Sequence, residues 1–296
     1  MRRAIRGALA SVGLSFGLSS GLALGLAFSP AASAQEAALD ESIATVSLAR
    51  GTELSLVVSK KPGSKPTTAA LLFPGYPGVL KVEAQAGGAP EFQMRGNFLV
   101  RARRHLVSDT VMTVLVDCPK DRWTNCDDAY RESDQYAADI AAAIDKLKAD
   151  QGVGKIYLIG TSYGTVSSAF LARKLDGRID GAIHTATFTD PRAGRGRGQV
   201  HGLAMWDFDW TAAHADQLFV HHQDDPCQLT QYRTIAARHG SIPLITVQGA
   251  KGVRGEPCEA FSQHGFVGRE RPVMLAIGDW IATRKVTETV GAKGDD

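Results

Sequence analysis

The feature that most constrains the fold of this 296-residue chain is an alternation, after Gln35, of short apolar runs with segments of helical spacing. The runs at 67–75 (TTAALLFPG), 110–119 (TVMTVLVDCP) and 155–160 (KIYLIG) are apolar almost throughout, as in strands that are covered on both faces. Residues 132–150 repeat apolar side chains with the period of a helix, with aspartates early and lysines late. Such alternation predicts an α/β fold, in which helices cover both faces of a mostly parallel central sheet.

Two segments carry more specific expectations. The alternating polarity of 53–61 (ELSLVVSKK) predicts an edge strand. The segment 91–106 (EFQMRGNFLVRARRHL) predicts a helix, and its basic cluster is interpreted as a solvated face: Arg101, Arg103, Arg104 and His105. No repeat or linker divides the rest of the chain, so residues 35–296 are predicted to form a single domain.

The N-terminal 34 residues have the layout of a secretory signal peptide. The first seven residues carry three arginines, the stretch from Gly7 to Ala34 has no charge, and it ends in the small residues Ala-Ser-Ala. An uncleaved membrane anchor is the alternative, because the apolar stretch is long. Its Gly and Ser content and Pro30 favour cleavage after Ala34. We therefore expect an exported protein, periplasmic or extracellular, with no membrane anchor after cleavage.

Charge excludes one class of partner. Removing residues 1–34 takes away Arg2, Arg3 and Arg6 and no acidic residue, so the formal net charge changes from +2 to −1. The basic balance of the full chain therefore belongs to the export signal, and no nucleic-acid partner is expected.

The four cysteines, Cys118, Cys126, Cys227 and Cys258, all follow the predicted cleavage site. Four cysteines allow three pairings. Cys118 and Cys126 bracket the short loop CPKDRWTNC, which favours a local bridge and leaves Cys227–Cys258 as the second. A zinc site is the alternative, but no C-x-x-C or H-x-x-x-H spacing supports it, and no metal or other cofactor is predicted. Disulfides agree with an oxidising compartment.

The irregular segment 190–216 concentrates aromatic side chains. Trp206, Phe208 and Trp210 fall within five residues of one another. They are either buried packing or the wall of a substrate-binding site, and the sequence leaves both interpretations open.

The residues Gly160-Thr161-Ser162-Tyr163-Gly164 form a G-x-S-x-G motif between a predicted strand and a predicted helix. In this context the serine occupies a sharp turn that lifts its hydroxyl above the sheet, and the flanking positions require glycine because larger side chains would collide. A glycine-bordered turn without a function is the alternative, and partners for a nucleophile elsewhere in the chain would decide between them.

Such partners exist, and with them the mature chain resembles the α/β-hydrolase fold family over nearly its whole length. That family places serine, acid and histidine in this chain order. Here Asp224 and Asp225 follow the strand DQLFVHH, and His264 lies in a loop before the last helix. The resemblance implies Ser162 as nucleophile, His264 as base and Asp225, which precedes a turn proline, as the acid; Asp224 is the alternative.

Two further histidines close the same strand. His221 and His222 lack additional ligands for a metal, so they are interpreted as residues that hydrogen-bond the backbone or shape the site.

The resemblance also implies an oxyanion hole formed by two backbone N–H groups. One belongs to Tyr163, the residue after the nucleophile, and the other to Tyr76 in the loop LLFPGYPGVL. This loop departs from the family's His-Gly-x-Pro-Gly pattern, because Phe73 and Pro74 stand where a histidine is common.

These residues predict a carboxylesterase that cleaves small or medium acyl esters through an acyl-serine intermediate. Lipase, thioesterase and peptidase activities use the same machinery, and a non-catalytic binding protein on the same fold is the alternative of another class. The insertion at 190–215 leaves room for only a minimal cap. A Cys227–Cys258 bridge would tie the acid and base loops together, whereas the other bridge is expected mainly to contribute stability.

Overall fold

The computed structural model describes residues 38–189, 205 and 208–294. The predicted signal peptide, most of the segment 190–207 and Trp206 lie outside these residues.

Nine of the eleven described strands form one sheet. In chain order the strands are β1 (Asp40–Ser47), β2 (Glu53–Lys60), β3 (Thr68–Phe73), β4 (Glu83–Ala84), β5 (Pro90–Glu91), β6 (Val111–Val116), β7 (Lys155–Thr161), β8 (Gly181–Thr185), β9 (Asp216–His222), β10 (Leu244–Val247) and β11 (Thr289–Val290). The spatial order is β1-β2-β6-β3-β7-β8-β9-β10-β11, while β4 and β5 pair only with each other. β1 and β2 pair antiparallel, as do β2 and β6, and every other neighbouring pair of the large sheet is parallel. The predicted mostly parallel sheet is therefore confirmed.

Helices cover both faces of this sheet. They are α1 (Phe98–Ala102), α2 (Asp128–Arg131), α3 (Asp134–Gln151), α4 (Gly164–Lys174), α5 (Tyr232–Arg238) and α6 (Glu270–Thr283). Alternate residues of β3 enter two different cores: Leu71 packs in the cluster that includes α3, and Leu72 packs in the cluster that includes α1 and α6. Burial on both faces is the reason that the β3 segment is apolar throughout.

The prediction that β2 lies at an edge is wrong. β1 flanks β2 on the outside, and β6 flanks it on the other side. Two polar positions of β2 are the buried serines Ser55 and Ser59, and the Ser59 hydroxyl donates to Glu41 at 2.5 Å. The polar position at Ser59 is therefore a buried hydroxyl with a hydrogen-bond partner, whereas the alternating pattern had predicted a solvent-facing side chain.

The basic cluster near α1 also differs from expectation. The helix is shorter than the segment 91–106, and two arginines of the cluster are partly buried in ion pairs. Arg101 lies 2.9 Å from Glu270, and Arg103 lies 2.7 Å from Glu41. These pairs join α1 to α6 and to β1, so Arg101 and Arg103 tie elements together in place of forming a solvated face.

A buried polar chain runs beneath α4. His184 lies within hydrogen-bonding distance of the Ser168 hydroxyl (2.8 Å) and of the Gln217 side-chain carbonyl (3.2 Å). Gln217 in turn donates to the Trp210 carbonyl at 2.6 Å. Burial lowers the pKa of His184 to about 4, against which the Gln217 hydrogen bond acts in the opposite direction. His184 is therefore neutral in the folded protein over the whole range from pH 5 to 8.

This buried histidine predicts a pH dependence of stability. Between pH 6.5, its ordinary pKa, and about 4, the unfolded chain binds a proton at His184 that the folded chain does not bind. The free energy of unfolding should therefore fall as the pH falls, by about 1.4 kcal/mol per pH unit from this residue. Urea unfolding between pH 7 and pH 5 should give a shallower slope for His184→Gln than for wild type, and equal slopes would contradict the assignment.

Candidate active site

Ser162 occupies a strained turn between β7 and α4. Its φ of 53° lies in the left-handed region, which non-glycine residues rarely adopt. The Ser162 N–H donates to the Thr185 carbonyl of neighbouring β8 at 3.0 Å, which holds the turn against the sheet. Strain of this kind persists where the surrounding structure fixes a functional side chain.

The flanking glycines are required by space. A Cβ atom at Gly160 would lie 2.4 Å from the Ser168 hydroxyl and 2.5 Å from the Gly164 carbonyl. A Cβ atom at Gly164 would lie 2.1 Å from the Phe73 carbonyl oxygen. Both positions of the motif therefore require glycine, because α4 lies too close to the backbone of β7 and β3 to leave room for a side chain.

Gly164→Ala should consequently destabilise the protein by about 3 kcal/mol, because the added methyl meets rigid backbone. For a domain of this size the melting temperature should fall by about 6–12 °C. Gly154→Ala is the matched control, since a Cβ atom there meets nothing within 4 Å. Equal melting temperatures for the two variants, measured by circular dichroism, would contradict the packing argument.

The structure brings the predicted acid and base together. His264 lies in a short 3-10 turn that Ser262 caps, and its Nδ1 is 3.1 Å from Asp225 Oδ2. The side chains are almost fully buried, with 6% of His264 and none of Asp225 exposed. Asp224 is exposed, and its backbone N–H donates to His222 Nδ1. Of the two aspartates considered for the acid, Asp225 is the one beside the histidine.

The Asp225 contact sets the protonation of the pair. Burial by itself would raise the pKa of Asp225, but the hydrogen bond and charge of His264 hold it below the ordinary value, together with the Cys227 N–H and the Thr230 hydroxyl. Asp225 is therefore a carboxylate that accepts from Nδ1–H of His264. Nε2, the other ring nitrogen, is left as the atom that can take a proton.

Thr230 is a member of this group that the sequence did not reveal. It is fully buried, and its hydroxyl donates to Asp225 Oδ2 at 2.8 Å. The Thr230 hydroxyl oxygen also lies 2.9 Å from His264 Nδ1. One hydroxyl thus bridges acid and base, accepting from the imidazole while donating to the carboxylate. No motif marks this threonine, because its position depends on the turn that follows Asp225.

We expect Thr230→Val to lower kcat by about 10-fold while Thr230→Ser stays within about 3-fold of wild type. Valine keeps the volume but removes the hydroxyl that orients both partners, and a buried hydrogen bond to a charged group contributes about 1.5–3 kcal/mol. The pH profile of kcat should also shift for valine only. Equal pH profiles and equal kcat for the valine and serine variants would show that the hydroxyl has no part in orienting the pair.

The two histidines of β9, His221 and His222, form hydrogen bonds with backbone groups, as interpreted from the sequence. His221 Nε2 accepts from the Thr187 N–H at 2.5 Å, and burial lowers the His221 pKa to about 4. His222 lies 2.9 Å from the Gly249 carbonyl through Nε2. In the described part of the chain no group of three or more acidic, histidine or cysteine side chains is arranged to hold a metal ion.

The loop after β3 lies directly against Ser162. The Cβ position of Gly75 is only 3.2 Å from the Ser162 Cβ atom, so a side chain at Gly75 would crowd the serine. Tyr76 follows, exposed at the mouth of the pocket, with its ring 5.9 Å from that of Tyr163. Both residues proposed to supply oxyanion N–H groups, Tyr76 and Tyr163, therefore lie beside Ser162 on the pocket wall.

Arg131 supports this loop from behind. It is 2% exposed, and its guanidinium donates to the Pro77 carbonyl at 3.2 Å and to the Ser167 hydroxyl at 2.8 Å. Its charge also lies over the Tyr163 ring, 5.0 Å from the centroid. The Tyr163 hydroxyl donates to Asp128, so α2 holds both the loop after β3 and Tyr163 in place.

The structure joins Cys118 to Cys126 and Cys227 to Cys258, the two pairs expected from the sequence. Cys227 and Cys258 line the pocket, and the Cys227 N–H donates to Asp225 Oδ1 at 2.9 Å. The first bridge is also connected to the site. The Cys126 carbonyl accepts from Arg131 at 3.0 Å, and Cys118 Sγ lies 3.3 Å from the Gly78 carbonyl. The expectation that this bridge mainly contributes stability therefore needs one addition, because the bridge also contacts Arg131, which donates to the Pro77 carbonyl of the loop after β3.

Ser162 and His264 share one pocket of about 540 Å³. Its walls are mostly apolar, and they include Met94, Phe98, Phe188 and Leu229. A volume in this range suits a small organic ligand.

The aromatic segment contributes core packing in the part that is described. Trp206 lies outside the described residues. Phe208 packs edge-on against Phe170 at 5.1 Å, and Trp210 packs against Phe219 at 4.8 Å between ring centroids. Neither residue is on the pocket wall. The reason is that Phe219 of β9 and the apolar side of α4 form a surface that these rings cover.

Comparisons with known proteins bear on the fold. No protein-family model and no curated protein matches the chain. An α/β serine hydrolase without a lid from Xanthomonas campestris is 15% identical, with 84% of this chain and 97% of that chain covered and a TM-score of 0.53. Est1E from Butyrivibrio proteoclasticus with ferulic acid bound is 16% identical, covering 81% and 100%, at 0.54. The esterase domain of a Rhodothermus marinus protein is 14% identical, covering 81% and 97%, at 0.53. At these identities the likeness shows the fold.

Proposed function

Because the chain has the α/β-hydrolase fold, we propose that it is an exported serine hydrolase that cleaves carboxylic esters of small or medium acyl chain through an acyl-Ser162 intermediate. One observation carries the proposal. The strained Ser162 and the base His264 line the same apolar pocket, while Asp225 lies buried against the far side of the imidazole. A nucleophile, a base and an orienting carboxylate are the set that acyl transfer requires.

Acylation follows from the protonation of the pair. Nε2 of His264 takes the proton of Ser162 Oγ as the oxygen attacks the ester carbonyl carbon. The N–H groups of Tyr76 and Tyr163 donate to the oxyanion of the tetrahedral intermediate. Collapse breaks the bond to the alkoxy oxygen, which leaves as an alcohol with the proton from Nε2. Asp225 stabilises the imidazolium that exists between these transfers.

Deacylation repeats the sequence with water. His264 removes a proton from a water molecule that attacks the acyl carbon, and the second tetrahedral intermediate uses the same N–H donors. Return of the proton to Ser162 releases the carboxylic acid and restores the enzyme. The reaction consumes one ester and one water and yields one acid and one alcohol.

Pocket dimensions support small or medium acyl groups. A volume of about 540 Å³ with apolar walls accommodates a short alkyl or single-ring acyl chain. Only about 26 residues, 190–215, separate Thr189 from β9, so we propose an open site with a minimal cap. Lipase, thioesterase and peptidase activities remain alternatives, because they use the same residues. Since one neighbour carries ferulic acid, the substrate panel should include an aromatic acyl ester.

The direct test is covalent labelling with a fluorophosphonate probe, followed by peptide mass spectrometry. We expect one adduct, on Ser162. The panel then compares p-nitrophenyl acetate, butyrate, octanoate and palmitate, a hydroxycinnamate methyl ester, a thioester and a peptide amide. Preference for acetate or butyrate supports the esterase, and preference for palmitate, thioester or peptide would replace it with the corresponding activity. Protein that is folded yet neither labels nor turns over any of these would favour the binding-protein alternative.

Export is part of the proposal. Two disulfides among the described residues support an oxidising compartment. The described helices include none of the length and apolarity that a membrane span requires. Fractionation of the host cell, with N-terminal sequencing of the recovered protein, should find it outside the cytoplasm and beginning at Gln35. A cytoplasmic protein that retains residues 1–34 would contradict this part of the proposal.

A further inference from the structure

Asn97 lines the pocket that contains Ser162, and its side-chain amide has one hydrogen-bond acceptor, Oδ1, and one donor, Nδ2. It precedes α1 as the N-cap, and its Oδ1 accepts from the Leu99 N–H at 3.1 Å. Because a backbone N–H donates only to an acceptor, this contact identifies the oxygen of the amide. The other atom, Nδ2, is therefore the donor, and its direction is fixed by the cap.

Nδ2 faces the nucleophile from the side of the oxyanion loop. The Cβ position of Gly75 is 3.4 Å from Asn97 Nδ2 and 3.2 Å from the Ser162 Cβ atom, so both atoms flank one point next to the serine. Gly75, Asn97 and Ser162 all line the same pocket. In the described part of the chain Nδ2 has no hydrogen-bond partner, and its two N–H groups remain available to a bound molecule.

The backbone around Asn97 is held firmly. The Asn97 N–H donates to the Met94 carbonyl at 2.8 Å, and its carbonyl accepts from the Arg101 N–H at 2.9 Å. The Arg101 side chain donates at 2.6 Å to the carbonyl of Gly96 and at 2.6 Å to that of Gly265, the residue after His264. Arg101 thus joins the Asn97 turn to the turn that carries the base, which keeps the amide at a constant position relative to the reacting atoms.

We infer that the Asn97 side-chain amide is a further donor to the oxyanion, beside the N–H groups of Tyr76 and Tyr163; the inference rests on the proposed acyl-transfer function. A cap needs only an acceptor, and aspartate or serine would serve α1 equally well. Asparagine is the cap residue that also presents a strong donor on the other side. As charge moves onto the carbonyl oxygen, a preorganised neutral donor in a partly closed pocket lowers the barrier without reorganising.

Variants that keep the cap separate this function from a structural one. Asn97→Ser and Asn97→Asp both retain an oxygen for the Leu99 N–H but remove Nδ2. We expect each to lower kcat for p-nitrophenyl butyrate by about 10²-fold, with KM within about 3-fold and the melting temperature within about 2 °C of wild type. Asn97→Asp should lose more than Asn97→Ser, because its carboxylate repels the oxyanion. Asn97→Ala, which also loses the cap, should in addition melt earlier.

A second readout does not depend on turnover. An alkylboronic acid forms a tetrahedral adduct with an active serine and places an oxygen in the oxyanion hole, so its Kd by calorimetry should rise in Asn97→Ser by about the factor by which kcat falls. Fluorophosphonate labelling and turnover of wild type are measured first, and their failure would remove the proposed function and this inference together. An active wild type with kcat and boronate affinity unchanged in Asn97→Ser would overturn the inference alone.

Discussion

Replacing Ser162 by alanine should abolish ester hydrolysis, with kcat for p-nitrophenyl acetate and butyrate reduced by about 10⁵–10⁶-fold. In the proposed mechanism the Ser162 hydroxyl oxygen becomes acylated, and the remaining hydrogen-bond donors and the pocket cannot replace that covalent step. The variant should fold normally, because the substitution removes only a hydroxyl and keeps the backbone hydrogen bond from residue 162 to the Thr185 carbonyl. Steady-state kinetics with active-site titration, alongside circular dichroism, measures both statements.

Ser47→Ala is the matched control for this substitution. Ser47 is exposed at the end of β1. The substitution Ser47→Ala therefore removes the same kind of hydroxyl group from a position outside the pocket. It should retain full turnover and fluorophosphonate labelling, whereas Ser162→Ala should lose both. Residual turnover in folded Ser162→Ala at more than about one hundredth of wild type would show that another group performs the chemistry.

Replacing Asp225 by asparagine should lower kcat by about 10³–10⁴-fold with little change in KM. The amide can turn its NH₂ group toward Nδ1 of His264, which favours the tautomer with the proton on Nε2, and that nitrogen then cannot accept from Ser162. Loss of the charge also removes the stabilisation of the imidazolium. Because the pKa of Asp225 lies below its ordinary value, wild type keeps this carboxylate ionised above pH 5, and the loss should persist throughout pH 6–9.

Asp224→Asn provides the same chemical change one residue away. Asp224 is exposed, and it contacts His222 through its backbone, so kcat should stay within about 2-fold of wild type. The pair of variants therefore tests which of the two adjacent carboxylates serves the histidine. Equal losses in the two variants, or a larger loss in Asp224→Asn, would contradict the assignment of the acid.

Some features of the site could be read from residue types and spacing. The Ser162 motif is local, because a strand, a sharp turn and a helix must follow one another within a few residues, and glycine is needed wherever backbone approaches backbone. Residue type and spacing could not separate Asp224 from Asp225, because both are aspartates on one turn and only the folded turn decides which side chain faces His264. The structure separates them by placing only Asp225 at 3.1 Å from His264.

Other features were beyond sequence reasoning because they depend on long-range contacts. Thr230 and Asn97 carry no motif, and each reaches the site only when turns from distant parts of the chain meet. Arg131 resembles an ordinary surface residue in the sequence, yet it is buried against the loop that carries Tyr76 and Pro77. The aromatic rings of Phe208 and Trp210 suited a binding wall as well as a core, and packing against α4 and β9 decided between them.

By itself, then, the sequence determined the alternation of strands and helices, the mostly parallel sheet and the sharp glycine-flanked turn at Ser162, because these follow from hydrophobic period and from local steric limits. Tertiary structure alone decided that β1 flanks β2, that Arg101 and Arg103 form ion pairs, and that Thr230 contacts His264, Asn97 lines the pocket of Ser162, and Arg131 packs against Tyr163. The physical reason is that burial and hydrogen-bond direction belong to the assembled molecule. A polar side chain's partners are set by elements that can lie more than a hundred residues away, as Arg101 and Glu270 are.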